Sequence, residues 1–126
     1  APQDHAPAPG APAEPMSLST HVLDTMRGTP AAGLEVTLHR REPDGDWKEV
    51  AQSVTDSEGR VRSLTEEELE AAEYRLTFAT RVYFERSGLN AFYPEVSIVF
   101  NLEDPTAHLH LPLLLTAFGY STYKGA

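Results

Sequence analysis

The chain has 126 residues, of which 40% are hydrophobic and 23% charged, and this size and composition indicate one globular domain. Its net charge of −9 argues against nucleic acid or an anionic membrane surface as the main partner. The absence of cysteine excludes disulfides, thiolate zinc sites and cysteine nucleophiles. No apolar run in the sequence approaches the length needed to span a membrane.

The chain begins with a segment rich in alanine and proline. Residues 1–16 have no periodic apolar pattern, which predicts a disordered, extended leader ahead of a domain over residues 17–126. A tether of this composition favours an exported protein, periplasmic or secreted. The alternative is a cytoplasmic protein whose original start is Met16.

Short stretches of alternating apolar and polar residues follow, each bounded by turn residues. They predict strands over residues 18–25, 34–40, 47–54, 74–78, 95–101, 108–115 and 120–123. Turns rich in glycine, proline and aspartate separate the early strands at residues 27–30, 43–46 and 55–59. The last of these turns places Arg60 at its exit.

Two further stretches carry helix signals. Residues 64–72 are rich in glutamate and alanine and are interpreted as an acidic connector, with a helical turn capped by Thr65 as the alternative. Thr80 is expected to cap a brief helix over residues 81–87, which Gly88 ends. Seven or eight short strands with at most one short helix indicate an all-β protein built as an antiparallel β-sandwich.

The stretch over residues 108–115 has the most informative pattern. Leucine occupies every second position, so one face of this strand is apolar and the other presents His108 and His110. A single histidine in a strand is more often structural than functional. Two histidines on one face, together with His21 in another strand, nevertheless form a candidate site whose chemistry the pattern leaves open.

Two kinds of chemistry suit these residues. His108 and His110, with His21 as a third ligand, would match a three-histidine zinc site, although no Asp or Glu is obviously placed to orient the imidazoles. Alternatively, Arg60 would bind a planar, anionic, oxygen-rich substrate if it faces the histidines, because its guanidinium presents a fixed fork of donors. An arginine that follows a glycine turn is otherwise usually solvated. Nothing in the sequence matches a glycine-rich phosphate loop or a dinucleotide-binding fingerprint.

The chain resembles the transthyretin fold family along residues 17–126. The resemblance is carried at the start by STHVLDT (19–25) and GTPA (28–31), in the middle by residues 55–64 and FYPE (92–95), and at the end by HLHLPLLL (108–115) and GYSTY (119–123). It implies a transthyretin-like antiparallel β-sandwich of seven to eight strands with one short helix. It also implies a homotetramer, with sites in a channel to which the C-terminal tails contribute.

Within that family, the resemblance points to the 5-hydroxyisourate hydrolases, which open a ring of the urate oxidation product. These enzymes are similar to this chain in having histidine at 21, arginine at 60 and histidine at 110, where the carrier branch has other residues. The implied catalytic residues are therefore His21, Arg60 and His110, acting on a purine-derived small molecule through an activated water, without metal or cofactor. Three further residues are expected at the substrate: His108, Tyr123 and Lys124.

The C-terminal tail departs from the pattern of the enzymes. They usually end in Tyr-Arg-Gly-Ser, whereas this chain ends in YKGA (123–126), and it has Thr116-Ala117 in place of Ser-Pro. Lysine keeps the charge of arginine but loses the bidentate fork. Alanine in place of the terminal serine removes a hydroxyl that would hold the attacking water or the substrate. Loss of that hydrogen bond is expected to cost about 1–3 kcal/mol, or about ten- to a hundredfold in rate. The altered tail also supports two rival hypotheses, a non-catalytic carrier of planar aromatic ligands and a structural homologue without a ligand.

Overall fold

The computed structural model of the chain describes residues 18–65 and 68–125. Within this part the chain forms one helix and nine strands: β1 (Leu18–Asp24), β2 (Thr29–Pro30), β3 (Glu35–Arg41), β4 (Trp47–Val54), β5 (Arg60–Val61), β6 (Ala72–Phe78), α1 (Thr80–Glu85), β7 (Val96–Leu102), β8 (Leu109–Leu115) and β9 (Tyr120–Thr122). The leader predicted over residues 1–16 lies outside the described residues. No helix in the described ranges is long and apolar enough to cross a membrane.

The strands form two sheets, which confirms the predicted β-sandwich architecture. One sheet has the order β2-β1-β8-β9, with β5 also paired to β1, and the other has the order β4-β3-β6-β7. All strand pairs are antiparallel except β1 and β8, which run parallel over seven residue pairs. Sequence alternation could not predict this exception, because alternation fixes the faces of a strand but not its partners. The parallel pair is possible because a long connection, which contains the other sheet, separates the two strands.

The strand count is higher than the seven or eight predicted, because two strands have only two residues. β2 lies within the stretch predicted as the turn at residues 27–30, where Pro30 pairs with Leu23 at the sheet edge. β5 begins at Arg60, directly after the turn at 55–59. A strand of two residues has no periodicity to read. The seven longer strands all coincide with predicted ones.

The core lies between the two sheets and follows the alternation of the sequence. The leucine face of β8 is buried, as are the inward residues of the facing strands β3 and β6. Residues at i and i+2 share one face of a strand, so the buried positions recur with a period of two. The face of β8 that carries His110 is thereby turned away from this core, and His108 directly precedes the strand. Burial of one face thus leaves the other free to line a cleft.

The short helix is confirmed, but the expected cap is wrong. Thr80 is the first residue of α1, and Ala79 occupies the capping position without a side-chain hydrogen bond. The Thr80 hydroxyl is buried and donates instead to the backbone carbonyl of Tyr93, 3.1 Å away. The Thr80 hydroxyl therefore makes a tertiary hydrogen bond instead of capping the helix. Gly88 follows the helix with a φ of 74°, the left-handed conformation in which a glycine commonly ends a helix, as predicted.

The acidic connector is the least regular part of the domain. Its described residues, 64–65 and 68–71, have no helical turn, and residues 66–67 lie outside the described chain. Leu64 and Leu69 are buried and attach the segment to the core. The hydroxyl of Tyr74 donates to the carbonyl of Glu70 at 2.7 Å and accepts from its N–H at 3.1 Å. These contacts satisfy backbone groups that a helix would otherwise have paired.

Candidate active site

Strand β1 brings together residues that are far apart in the sequence, because it pairs on one side with β8 and on the other with β5. In the parallel ladder with β8, Ser19 lies opposite His110. In the antiparallel ladder with β5, His21 lies opposite Arg60. Ser19 and His21 are two residues apart on one strand and share a face. The three residues proposed as catalytic therefore come from three adjacent strands of one sheet.

A cleft of about 390 Å³ opens on this face of the sheet. It is lined by Ser19, Thr20, Arg60, Val61, Arg62, His108 and His110. Three of the site residues predicted from the sequence are therefore in one cleft: Arg60, His108 and His110. His21 does not line the cleft but lies beside it, through its pairing with Arg60.

His110 is half-buried at the centre of this arrangement. Its Nδ1 lies 2.8 Å from the hydroxyl oxygen of Ser19, so Nε2 is the ring nitrogen that remains for a ligand. Burial lowers the pKa of His110 below its ordinary value of 6.5, and the neighbouring charges of His108, Arg60 and His21 lower it further. The ring is therefore neutral at physiological pH. A neutral imidazole can accept a proton from water.

His21 is held in a defined tautomer by the turn before β5. Its Nε2 lies 2.9 Å from the backbone carbonyl oxygen of Glu58. Because a carbonyl oxygen only accepts, we assign the proton of the neutral ring to Nε2, which leaves the lone pair on Nδ1. The ring orientation of His21 thus depends on the conformation of residues 56–59.

The turn at 56–59 is fixed by a carboxylate and a glycine. Oδ1 of Asp56 accepts the backbone N–H of Glu58 at 2.8 Å and that of Arg60 at 3.0 Å. Gly59 has a φ of 76°, and an added Cβ would collide with the carbonyl oxygen of Val22. This residue therefore has to be glycine. Together the two features set where Arg60 leaves the turn and where the Glu58 carbonyl points.

The cleft contains a second arginine, which the sequence analysis missed. Arg62 follows Arg60 by two residues, and its Nη2 lies 3.1 Å from the carboxylate of Glu58. Both side chains are largely exposed, so this ion pair contributes little to stability. The ion pair nevertheless holds a second guanidinium, that of Arg62, at the cleft. The spacing of the two arginines was the available signal, since residues at i and i+2 of an extended segment share a face.

Ser19 is another lining residue that the sequence did not mark as functional. A serine in a strand has no distinguishing sequence pattern. Its proximity to His110 follows only from the parallel register between β1 and β8, which pairs these two residues. The signal was therefore in the tertiary pairing rather than in the local sequence.

Tyr123 and Lys124, the other predicted substrate contacts, do not line this cleft in the single chain, although Lys124 shares a neighbouring pocket of about 300 Å³ with His108. The tail returns along β8, and the N–H of Gly125 donates to the carbonyl of His110 at 2.8 Å. Lys124 and Tyr123 line a separate, mainly apolar cleft of about 300 Å³ together with residues of β7, β8 and β9. The structure thus brings the tail backbone to His110 but does not bring these two side chains into the histidine cleft. Ala126 lies outside the described residues.

The three-histidine arrangement considered for zinc is not formed. Among the residues that the structure describes, no three His, Asp or Glu side chains are placed to share a metal ion. Nε2 of His21 is directed at the Glu58 carbonyl, whereas His108 and His110 both contact Ser19. The imidazoles therefore do not converge on a common point.

The chain is similar to known proteins over nearly all of the described residues. The sequence model of the HIUase/Transthyretin family matches residues 18–125. The 5-hydroxyisourate hydrolase of Salmonella typhi is 40% identical over 122 residues, which are 96% of this chain and 89% of the relative.

Two solved structures show the same fold. The 5-hydroxyisourate hydrolase of Klebsiella pneumoniae superimposes with a TM-score of 0.79 at 36% identity, over 88% of this chain and 99% of that one. Sea bream transthyretin in complex with thyroxine superimposes with a TM-score of 0.82 at 33% identity, over 87% of this chain and 95% of that one. Backbone similarity alone therefore does not separate hydrolase from carrier, and the side chains of the cleft have to do so.

Proposed function

Because the chain belongs to the HIUase/Transthyretin family, we propose that it is a 5-hydroxyisourate hydrolase. One observation carries the proposal: His110 and Arg60 line a single cleft, and His110 is neutral at physiological pH. A neutral imidazole beside a fixed cation can activate a water against an anionic, oxygen-rich ring. A carrier of apolar aromatic ligands has no need for this combination.

In the proposed mechanism His110 acts first as a general base. Nε2 of His110 takes a proton from water as the resulting hydroxide adds to a ring carbonyl carbon of the substrate. Arg60 binds the anionic ring and stabilises the negative charge that develops on the carbonyl oxygen. The C–N bond of the ring then breaks, and the imidazolium returns the proton to the leaving nitrogen. His21 orients the water through its free Nδ1, which the Glu58 carbonyl leaves unprotonated.

The assembly proposed for this chain is a homotetramer, in which His108, Tyr123 and Lys124 contact the substrate. Several large apolar side chains are exposed in the single chain, among them Phe92, Phe118 and Tyr123. Exposed aromatic groups of this size are typical of surfaces that become buried on association. The tail would then complete the cleft between copies, which the single chain leaves open.

The experiment that tests the function follows the absorbance of freshly generated 5-hydroxyisourate with and without protein. The unmodified protein is expected to accelerate its loss over the spontaneous rate. His110→Ala is expected to lose about a hundred- to ten-thousandfold in rate, the usual contribution of a general base. His39→Ala is the matched control, because His39 lies on β3 in the other sheet. Near-normal turnover by His110→Ala would contradict the assignment.

The second candidate function is a carrier of planar aromatic ligands. Its support is the likeness to sea bream transthyretin, whose structure holds thyroxine, and the altered tail of this chain. A carrier would show no turnover of 5-hydroxyisourate but a rise in melting temperature with an aromatic ligand. Neither turnover nor such a rise would indicate a structural homologue without a ligand.

A further inference from the structure

Ser19 is a buried polar residue of β1 that faces the histidine cleft. It is only 8% exposed and lies on β1 between Leu18 and Thr20, both of which are also buried. A buried hydroxyl costs free energy unless it is hydrogen-bonded. The partners of Ser19 are His110 on β8 and His108 directly before that strand, both near the other end of the chain.

The hydroxyl of Ser19 bridges these two imidazoles. Its oxygen lies 2.8 Å from Nδ1 of His110 and 3.4 Å from Nε2 of His108. A hydroxyl has one proton to donate and can accept at the same time. If it donates to His108, it has only acceptor capacity left for His110. Nδ1 of His110 must then carry the proton of the neutral ring, and its lone pair is on Nε2.

We propose that Ser19 is a positioning residue that, with His108 as its acceptor, holds His110 in the tautomer required of a general base. This inference rests on the proposed hydrolase function, in which Nε2 of His110 takes the proton of water. It gives His108, which was expected only as a substrate contact, a second role as the acceptor of the Ser19 proton. The chain of donors runs from His110 Nδ1–H to the Ser19 oxygen, and from the Ser19 O–H to His108 Nε2. No covalent bond changes in this chain of hydrogen bonds.

The same geometry holds the ring of His110 in place when its imidazolium forms during the reaction. When His110 Nε2 has taken the proton, Nδ1–H still donates to Ser19, so no hydrogen bond is lost. The hydroxyl stays directed at His108 in both protonation states. The ring of His110 therefore keeps one orientation while the proton is received and returned, which is what a positioned base needs.

The direct test is the tautomer of His110, read from side-chain ¹⁵N chemical shifts of histidine-labelled protein at a pH where the ring is neutral. The unmodified protein is expected to show a protonated Nδ1 and an unprotonated Nε2. Ser19→Ala is expected to give a mixture of tautomers, and Ser19→Thr, which keeps the hydroxyl, is expected to restore the original one. An unchanged tautomer in Ser19→Ala would overturn the proposal.

The kinetic arm of the test separates positioning from substrate binding. Ser19→Ala is expected to lower kcat about ten- to a hundredfold with KM within twofold, because the base is misplaced while Arg60 still binds the substrate. Ser97→Ala on β7 is the control for removal of a strand hydroxyl in the other sheet. A kcat of Ser19→Ala within twofold of the parent would contradict the proposal. A kcat of Ser19→Thr no higher than that of Ser19→Ala would contradict it as well.

A second variant tests the part of His108. His108→Leu removes the acceptor of the Ser19 proton, so the hydroxyl is free to donate to His110, and the same mixture of tautomers is expected. A single, unchanged tautomer in His108→Leu would refute the coupling between the two rings. The spectra are independent of turnover. A protein with the expected tautomer but no hydrolysis would leave the inference intact and remove the proposed function instead.

Discussion

Burial and the positive charge of neighbouring groups control the ionisation of His110, and no carboxylate of the described residues is among the causes of its shifted pKa. Burial is the largest cause of its lowered pKa, followed by the charges of His108, Arg60 and His21. A histidine paired with a carboxylate would have the opposite shift. The surroundings therefore keep the base form of His110 available at pH values where an ordinary histidine begins to protonate.

The rate is accordingly expected to fall to half its maximum at a pH below 6.5, the ordinary pKa of histidine. The reason is that the protonated ring, which cannot accept a proton, becomes the major form of His110 only below that value in the folded protein. The measurement is kcat/KM of the full chain against pH, with the ring proton shifts of His110 as an independent titration. A half-maximal rate above pH 6.5 would contradict the lowered pKa.

The same shift predicts a small pH dependence of stability. Between the lowered pKa of folded His110 and the value of 6.5 in the unfolded chain, the unfolded state binds more protons. The free energy of unfolding therefore decreases as the pH falls through this window, and the contribution of His110 is constant above it.

Asp56 is expected to affect catalysis although it lies outside the cleft. Its carboxylate fixes the turn that presents the Glu58 carbonyl to His21 and Arg60 to the cleft. The backbone hydrogen bond from Arg60 is the largest cause of its lowered pKa, so the group stays ionised at every pH of interest. Asp56→Ala should lower kcat/KM about tenfold, because His21 and Arg60 lose their common support.

Asp44→Ala provides the matched control for that variant. Oδ1 of Asp44 accepts the N–H of Asp46 at 2.9 Å in the hairpin between β3 and β4, which is the same kind of turn in the other sheet. Equal losses of kcat/KM in the two variants would show that the role of Asp56 is not specific to the site.

The elements show how far the sequence determines this fold. The period of two predicted the seven longer strands and the leucine face of β8, because burial of one face depends on local order alone. The parallel partner of β1, the two-residue strands and the contact of Thr80 with Tyr93 depend on residues distant in sequence. The grouping of His21, Arg60 and His110 came from the family resemblance, and Ser19 became visible only through the register of β1 with β8.

The return of the tail along β8 makes a specific demand on Gly125. A Cβ added there would lie 3.0 Å from both Cδ2 and the carbonyl oxygen of His110, which is closer than ordinary van der Waals contact. Gly125→Ala should therefore displace the tail or the His110 ring and lower kcat/KM about tenfold. The measurement is steady-state hydrolysis combined with the ring proton shifts of His110.

Gly119→Ala is the control for a glycine substitution in the same C-terminal region. The nearest atom to an added Cβ at Gly119 is the hydroxyl oxygen of Thr116, 3.9 Å away, so the methyl group fits. We expect its activity to stay within twofold of the parent. If Gly125→Ala behaved in the same way, the close approach of the tail to His110 would have no part in catalysis.

At the scale of the whole molecule, Phe92, Tyr93 and Tyr120 form an exposed aromatic patch. The ring of Phe92 is 71% exposed and packs edge-on against Tyr93, which packs in the same way against Tyr120. The N–H of Phe92 donates to the carbonyl of Ala117 at 2.7 Å, so the patch is held by backbone contacts. A fixed, exposed aromatic surface of this kind favours association.

Phe92→Glu should weaken self-association without unfolding the domain, because it places a charge on the patch at a largely exposed position. The dissociation constant is expected to rise at least about tenfold, or about 1.4 kcal/mol. Light scattering during size-exclusion chromatography measures the mass, and circular dichroism measures the fold.

Val82→Glu, at a position 47% exposed on α1, is the control for an added charge alone. A Phe92→Glu protein as large as the parent would exclude this patch from the interface. If the tail completes the cleft between copies, the specific activity of Phe92→Glu should also fall on dilution, and that of Val82→Glu should not.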